Sequence, residues 1–537
     1  MALLTGLPSA SADELSDEQA KCGHPVSPVG GLYPGGPPAP SAGAGIVGGS
    51  FPRSFLIPGT DTSIRVGGEI RENLLYFFNG GNPNGAPPSS NVLNNGAGLT
   101  TPLNFHNTVV GGVVVPTSNP ARSRSTSIFN QTPQQSKVNF ESRTPTAYGE
   151  ARTFMEFDWA GGGAFAPGGV NALTSTNSIV PRLRYAYGTL GGFLAGQANS
   201  NFSDPDADPP QLEFGGQYGN PGVTRIPQVR YTAPLAPYGL LGALSVSAEA
   251  PETDAWTAGQ GQVASDTGAV TTTTATASTT VCTSSAVTAI GVTPTITCTV
   301  AGNLPTVNPT KSPVPDLTAA YYIPQPWGHM DFSLVYRPML QLKDGAFVDK
   351  SVSGYGGHIG GDVKPGWFGW AKDAFTFHML AGENLGRYLG GNNSMFSVTS
   401  NYPSTVPTAA GAGAVVLRSS FAFGANASYT HWWLDNFRTY VATGIQHHDI
   451  PTNLRTVTAT GSTGVSAVCT GGINAAHLTG AGGCGLNKEL VSASVGTIWS
   501  PVAFVDFGLE YSYSHRQTVS NTKGDVNALT SRFTFRF

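Results

Sequence analysis

The chain closes on Asn527-Ala528-Leu529-Thr530-Ser531-Arg532-Phe533-Thr534-Phe535-Arg536-Phe537. Leu529, Phe533, Phe535 and Phe537 fall on one parity, Thr530, Arg532, Thr534 and Arg536 on the other. Side chains of a β-strand alternate between its two faces, so this stretch reads as a strand with one aromatic face and one polar, cationic face. A terminal phenylalanine with no polar tail beyond it is out of place against water. It fits a strand whose apolar face meets lipid, and the rest of the sequence is read against that expectation.

A length of 537 residues suits about three soluble domains or one large barrel. Only 11% of residues are charged, where soluble proteins carry roughly 25%. With 69 glycines and 40 prolines, that composition favours many strands, turns and uncharged loops. Mean hydropathy is −0.07, as expected when apolar and polar positions alternate. No run of eighteen apolar residues occurs, which excludes a helical membrane protein. A net charge of −4 argues against nucleic acid as a partner.

Period-two alternation recurs along the chain. In Ser63 to Phe78, Ile64, Val66, Ile70, Leu74, Tyr76 and Phe78 share one face, and Arg65, Glu69, Arg71 and Asn73 the other; Glu72 breaks the pattern. Lys137 to Arg143 and Glu150 to Trp159 form a hairpin with Val138, Phe140, Thr153, Met155, Phe157 and Trp159 outward. The same unit repeats in Pro181 to Tyr187 with Gly191 to Ser200, Ile226 to Ala233 with Leu240 to Ala250, and Asp316 to Ile323 with Gly328 to Leu340. It continues in Gly356 to Lys364 with Asp373 to Gly382, Ser420 to His431 with Phe437 to Gln446, and Glu489 to Trp499 with Val505 to Arg516. With the opening and closing strands the total is about sixteen.

The connections alternate between short turns rich in Pro, Gly and Trp and long segments such as Asn79 to Ser136, Pro251 to Pro313, Leu385 to Arg418 and His447 to Lys488. Short periplasmic turns, long extracellular loops and an even strand number are the signature of a transmembrane barrel. Trp159, Tyr238, Trp327, Trp432, Trp433 and Trp499 stand beside the short turns, where an interfacial aromatic girdle belongs. The expected fold is therefore all-β, a sixteen-stranded antiparallel transmembrane β-barrel over residues 59–537. Residues 1–12 read as the remnant of a signal peptide, ending in the small-x-small pattern Ala10-Ser11-Ala12. Residues 13–58 read as an N-terminal periplasmic segment.

Several blocks carry a family resemblance. The closing strand resembles that of Gram-negative outer-membrane barrels. Ser54-Phe55-Leu56-Ile57-Pro58-Gly59-Thr60-Asp61-Thr62-Ser63-Ile64-Arg65-Val66-Gly67-Gly68 and Phe140-Glu141-Ser142-Arg143-Thr144-Pro145-Thr146-Ala147-Tyr148-Gly149 resemble DcaP-like outer-membrane porins, with kinship to alphaproteobacterial porins. Leu194-Ala195-Gly196-Gln197, Gly386-Arg387-Tyr388-Leu389, His431-Trp432-Trp433, Trp499-Ser500-Pro501-Val502 and Gly508-Leu509-Glu510-Tyr511 continue it in order. The resemblance implies a homotrimeric channel in the cell outer membrane for small, often anionic solutes, in contact with lipid and lipopolysaccharide. This chain departs from the family by nearly lacking its N-terminal coiled coil and by a Thr/Ala-rich insertion at Pro251 to Pro313.

In a barrel of this size the inward face lines water. Parity turns Arg65, Arg71, Arg143, Arg152, Arg182, Arg184 and Arg230 inward, a positive sector on neighbouring strands. The segment Asn201 to Arg225, with Asp204, Asp206, Asp208 and Glu213, is expected to fold into the lumen and set a transverse field at a constriction. Each arginine has a second reading as the wall-stiffening partner of Glu69, Glu150, Glu156 or Asp158. Cys282 with Cys298, and Cys469 with Cys484, suggest two loop disulfides, leaving Cys22 unassigned. No zinc-ligand spacing occurs, and no metal or cofactor is expected. His447-His448-Asp449 reads as a polar rim rather than half of a hydrolytic site, so no enzymatic activity is expected. An adhesive or structural barrel displaying its long loops is the alternative to an open pore.

Overall fold

The computed structural model describes residues 48–79, 105–110, 113–118, 128–161, 180–212, 216–221, 224–257, 262–265, 279–284, 296–301, 310–343, 348–389, 397–400, 413, 415–449, 487–518 and 523–537. The expectations on residues 1–47, Glu213, Cys22, Cys469 and Cys484 lie outside them.

The barrel strands, in chain order, are β1 (Ser63–Asn79), β2 (Ile128–Thr132 continued by Lys137–Thr146), β3 (Gly149–Gly161), β4 (Val180–Leu190), β5 (Phe193–Asn199) and β6 (Arg225–Pro234). They continue as β7 (Ala243–Glu249), β8 (Asp316–Gln325), β9 (Gly328–Lys343), β10 (Asp349–Val363) and β11 (Ala374–Glu383). The last five are β12 (Phe421–Leu434), β13 (Phe437–Asp449), β14 (Asn487–Val502), β15 (Val505–Thr518) and β16 (Lys523–Arg536). Each pairs antiparallel with the next, and β16 pairs back to β1 from Glu69 opposite Arg536 to Asn79 opposite Asn527. The sixteen-stranded sheet is therefore closed and leaves no unpaired edge.

Alternation puts the apolar residues outside. Ile70, Tyr76, Phe78, Phe332, Leu334, Tyr336, Met379, Val441, Leu509 and Phe535 are exposed on the outer face. Arg71, Asn73, Asp331, Ser333, Glu510 and Arg532, on the opposite parity of the same strands, are buried. Phe535 and Phe537 point outward, and Phe537 is held in register by a pair of backbone hydrogen bonds with Gly68 (3.1 and 3.3 Å). Exposed Tyr238, Trp327, Trp367, Trp433 and Trp499 flank the short turns, whereas Trp159, expected beside one, lies at the opposite end of β3, before the long connection to β4.

Two irregularities depart from simple alternation. β2 is broken at Pro133 to Ser136, where proline cannot donate to the ladder. Ser136 Oγ fills the gap, accepting from the Arg71 backbone N–H (3.0 Å) and donating to the Arg71 carbonyl (3.3 Å). In β4 the register against β3 shifts between Glu156 and Phe157. Arg182 lies opposite Asp158 and Tyr185 opposite Glu156, so the bulged Arg184 and Tyr185 are both buried although they are adjacent in sequence.

Above the barrel rim, Asp254–Thr257 pairs with Gln262–Ser265 and with Val398–Ser400, which pairs with Leu417–Ser419. Ala255, Leu340, Leu342, Val348, Val398 and Val415 form the apolar cluster that seats this small sheet on the extended ends of β9 and β10.

Candidate functional site

The inward faces of β1 to β4 carry three charged clusters. Glu141 takes Arg65 (2.5 Å), Arg143 (2.7 Å) and Arg152 (2.9 Å) on one carboxylate. The reason is register: Arg143 lies directly opposite Arg152, and Glu141 directly opposite Arg65, so one anion offsets two facing cations and a third beside them. Arg152 also donates to Tyr187 Oη (3.1 Å), and Arg143 reaches Glu150 (3.3 Å).

Further along the wall, Asp158 accepts two hydrogen bonds from Arg182 (2.9 and 2.5 Å) and one from Arg184 (2.8 Å), while Arg184 also donates to Glu156 (2.6 Å). A paired fork of this kind fixes the guanidinium plane. Glu69 holds Arg71 (2.6 Å) and Lys137 (3.1 Å), with Arg536 at 3.9 Å. On these four strands Arg65, Arg71, Lys137, Arg143, Arg152, Arg182 and Arg184 outnumber Glu69, Glu141, Glu150, Glu156 and Asp158. Arg230 lies on the inward parity of β6, between exposed Val229 and Tyr231. Glu141, the hub of the first cluster, was not singled out from the sequence, although it shares parity with Lys137 and Arg143.

Residues 200–212, 216–221 and 224 fold against the inside of the barrel. At the start, Ser200 Oγ (2.9 Å) and the Asn201 N–H (2.8 Å) donate to Glu249 at the end of β7. Asp204 Oδ2 lies 2.8 Å from His329 Nε2 of β9, and Asp208 Oδ1 3.6 Å from His378 Nε2 of β11. The Leu212 N–H meets Tyr440 Oη (3.1 Å) of β13 and Glu510 (3.0 Å) of β15. Gln217 bonds Ser492 (2.6 Å) and Ser494 (2.9 Å) of β14, and Asn426 of β12 donates to the Gly219 carbonyl (3.0 Å).

The wall makes room for this crossing with inward glycines. A Cβ at Gly424 would come within 2.7 Å of Gly219 Cα, and one at Gly444 within 2.2 Å of the Tyr218 carbonyl oxygen. Burial alone would raise the Asp204 carboxyl, but the charge and hydrogen bond of His329 hold it below the ordinary carboxylate range. Asp206 is half-buried in the short 3-10 turn Pro205–Ala207.

A second loop packs beside the first. Leu385, Tyr388 and Leu389 bury against Phe202, Ile226, Val335 and Leu380. Tyr388 Oη donates to Glu249 (3.0 Å) and Asp316 (3.1 Å). Arg337, fully buried, donates to Asp316 (3.2 Å), to the Asn384 (2.6 Å) and Leu385 (3.2 Å) carbonyls, and to Ser397 and the Glu252 carbonyl. At the rim, His447 faces outward against Phe423, whereas His448 is buried and bonds Ser420 (2.9 Å). The two imidazoles thus point to opposite sides of the wall.

A closed antiparallel barrel with an apolar aromatic exterior and a charged interior is a channel of the Gram-negative outer membrane. The chain belongs to the porin subfamily, whose sequence profile matches residues 53–533. Among solved structures it is similar to the outer membrane channel DcaP of Acinetobacter baumannii, with 17% identity, 91% of this chain and 100% of that chain covered, and a TM-score of 0.55. It is similar at lower level to the anion-selective porin from Comamonas acidovorans (7% identity, 89% and 100% covered, TM-score 0.40). The trimer form of OmpT from Vibrio cholerae is another such neighbour (7% identity, 89% and 99% covered, TM-score 0.40). No curated protein matches the sequence. Family and fold indicate a porin channel.

Proposed function

We propose that this porin is a passive diffusion channel for small hydrophilic solutes with a preference for anions such as carboxylates. The observation that carries the preference is the cation surplus on the inward faces of β1 to β4, centred on one glutamate shared by three arginines. Like charges in a confined lumen raise the local anion concentration, and guanidinium forks suit carboxylate geometry. In this reading Arg65, Arg71, Arg143, Arg152, Arg182, Arg184 and Arg230 line one side of a constriction. The crossing segment, with Asp204, Asp206, Asp208 and Glu213, narrows the other. Hydrogen bonding of Asp204 to His329 supports a wall whose positive sector outweighs the loop, because that carboxylate is already matched.

The test is conductance and reversal potential in planar bilayers for the native protein beside Arg71→Ala, Arg152→Ala and Arg184→Ala, at low and high salt. Anion preference that falls in each variant supports the reading. Preference absent in the native protein, or a reversal potential indifferent to all three substitutions, refutes it. A barrel with no conductance would be the adhesive or structural alternative.

The functional unit in this reading is a homotrimer set in lipid and lipopolysaccharide. Glu72 supports self-association: it faces outward between Ile70 and Leu74, opposite Phe533, four residue pairs in from the Gly68–Phe537 pairing. Gln131 and the bonded Ser142–Thr153 pair (2.6 Å) add polarity on the neighbouring outer strands. A carboxylate at that depth is disfavoured against lipid and is better covered by another protein surface. Cross-linking of outer membranes that yields monomer alone refutes the assembly.

A further inference from the structure

The sequence has no zinc-ligand spacing, yet the fold brings together a donor set that no local motif could encode. Asp204 and Asp206, from the segment crossing the barrel, and His329, 125 residues further on in β9, each offer one ligand atom. These atoms lie within 4.8 Å of one another.

The surroundings of His329 are those of a positioned metal ligand. Its Nδ1 lies 2.5 Å from Asp362 Oδ1, and the same oxygen accepts the His329 backbone N–H (2.9 Å). Lys364 steadies the other oxygen of Asp362 at 3.2 Å. Tyr322 stacks on the ring at 4.9 Å with 23° between planes. A carboxylate behind Nδ1 fixes the tautomer, turns Nε2 toward the crossing segment and raises its basicity, as outer partners of metal-bound histidines do. Nε2 faces Asp204 Oδ2 at 2.8 Å. Both ring nitrogens thus meet carboxylate oxygens, and Nε2 faces Asp204 across the gap that a cation would bridge.

A second observation comes from the row beside it. Asp331, Gly360 and His378 are direct cross-strand partners on β9, β10 and β11. Asp204 sits over Gly360, where a Cβ would come within 2.9 Å of its Cβ and Oδ2. Asp331 is therefore the inward neighbour of Asp204 as well as of His329. It is only 5% exposed, and its Oδ1 has no hydrogen-bond partner. The nearest basic group, His358 Nδ1, is 3.6 Å away and already engaged with Ser333 Oγ (2.9 Å).

We propose that Asp204, Asp206 and His329 Nε2 form a binding site for a first-row divalent transition-metal cation, with zinc suited to one imidazole and two carboxylates. Imidazole favours zinc, copper, iron and nickel over calcium or magnesium, and three protein ligands leave a position for water. Binding bridges His329 to Asp204 and Asp206 and so ties the crossing segment to β9. The site shares Asp204 and Asp206 with the proposed constriction, but metal binding is read directly and so is tested apart from solute preference.

The experiment titrates the full-length protein in detergent micelles with zinc chloride alone by calorimetry, and with cobalt chloride by its visible spectrum. The expected result is one metal per chain with proton release. Asp206→Asn and His329→Gln should each weaken it at least about tenfold, and Asp362→Asn about 10- to 100-fold through the outer partner. Heat-modifiable gel mobility checks folding. If His329→Gln fails to fold, Asp206→Asn on the half-buried turn decides the matter. No binding at about 1 mM zinc, far weaker than a three-ligand site predicts, overturns the proposal. So does an affinity unchanged in Asp206→Asn, which would place the metal elsewhere.

Discussion

Replacing Glu141 with glutamine separates the structural from the electrostatic role of the arginine wall. The carboxylate has no exposed surface and takes Arg65, Arg143 and Arg152 at 2.5, 2.7 and 2.9 Å. Removing one partner of a buried ion pair costs about 3 to 5 kcal/mol. Arg65 and Arg143, each 17% exposed, can recover water, whereas Arg152, at 1%, cannot. The loss should therefore fall near the lower end, about 3 kcal/mol, and chiefly on Arg152. The electrostatic effect is one added positive charge. At about 7 Å in water it is worth about 0.6 kcal/mol, or one RT, for a monovalent ion. That raises local anion concentration about threefold and lowers cation concentration as much, so the anion-to-cation permeability ratio rises about sevenfold before screening. Over a screening length of about 8 to 10 Å the shift shrinks as salt is raised. Reversal potentials under a salt gradient, with the temperature at which the folded gel band disappears, measure the two effects together. An unchanged reversal potential and an unchanged melting temperature in Glu141→Gln would refute the argument.

Gly444→Val puts a Cβ where the Tyr218 carbonyl now sits at 2.2 Å, so the crossing segment should lift from β13 and conductance should change; conductance and chymotryptic sensitivity at Phe202, Leu212 and Tyr218 equal to the native protein would count against that footprint. Burial raises the Asp254 carboxyl to about 6, with Arg337 and Ser397 offsetting only part of the effect. Between the unfolded value of 3.8 and about 6 the folded state binds the extra proton, so stability of the small surface sheet falls as pH rises through that window, by about 3 kcal/mol. Hydrogen exchange at residues 254–257 and 398–400 should therefore speed from pH 5 to 8 beyond its intrinsic rise in the native protein and not in Asp254→Asn. Cys282 and Cys298 are direct cross-strand partners, and a disulfide between them would close a loop worth about 3 kcal/mol. Non-reducing peptide mapping should recover the two peptides linked, and free thiols at both positions would reject the bond.

Alternation with period two is a local property, since strand geometry turns successive side chains to opposite faces whatever the chain does elsewhere. That is why the aromatic outer face of Phe535 and Phe537, the sixteen strands, and the inward parity of Arg65, Arg71 and Arg152 could be read from residues alone. The same rule also marked Glu72 as an exception before any strand had a neighbour. Who meets whom is not local. Parity gave no hint that Arg184 and Tyr185 would both turn inward, because the bulge arises from the mismatch between β3 and β4. It did not select Glu141, whose importance comes from having Arg65 opposite on β1 and, on β3, Arg152 facing its own neighbour Arg143. The gathering of Asp204, Asp206 and His329 needs a segment to cross the barrel and rest over Gly360, a position where only a missing side chain leaves room. The sequence by itself determined which face the residues of the unbulged strands present and hence a barrel in lipid. Strand register, together with a crossing segment held by partners as far as 298 positions away, decided which charges face one another.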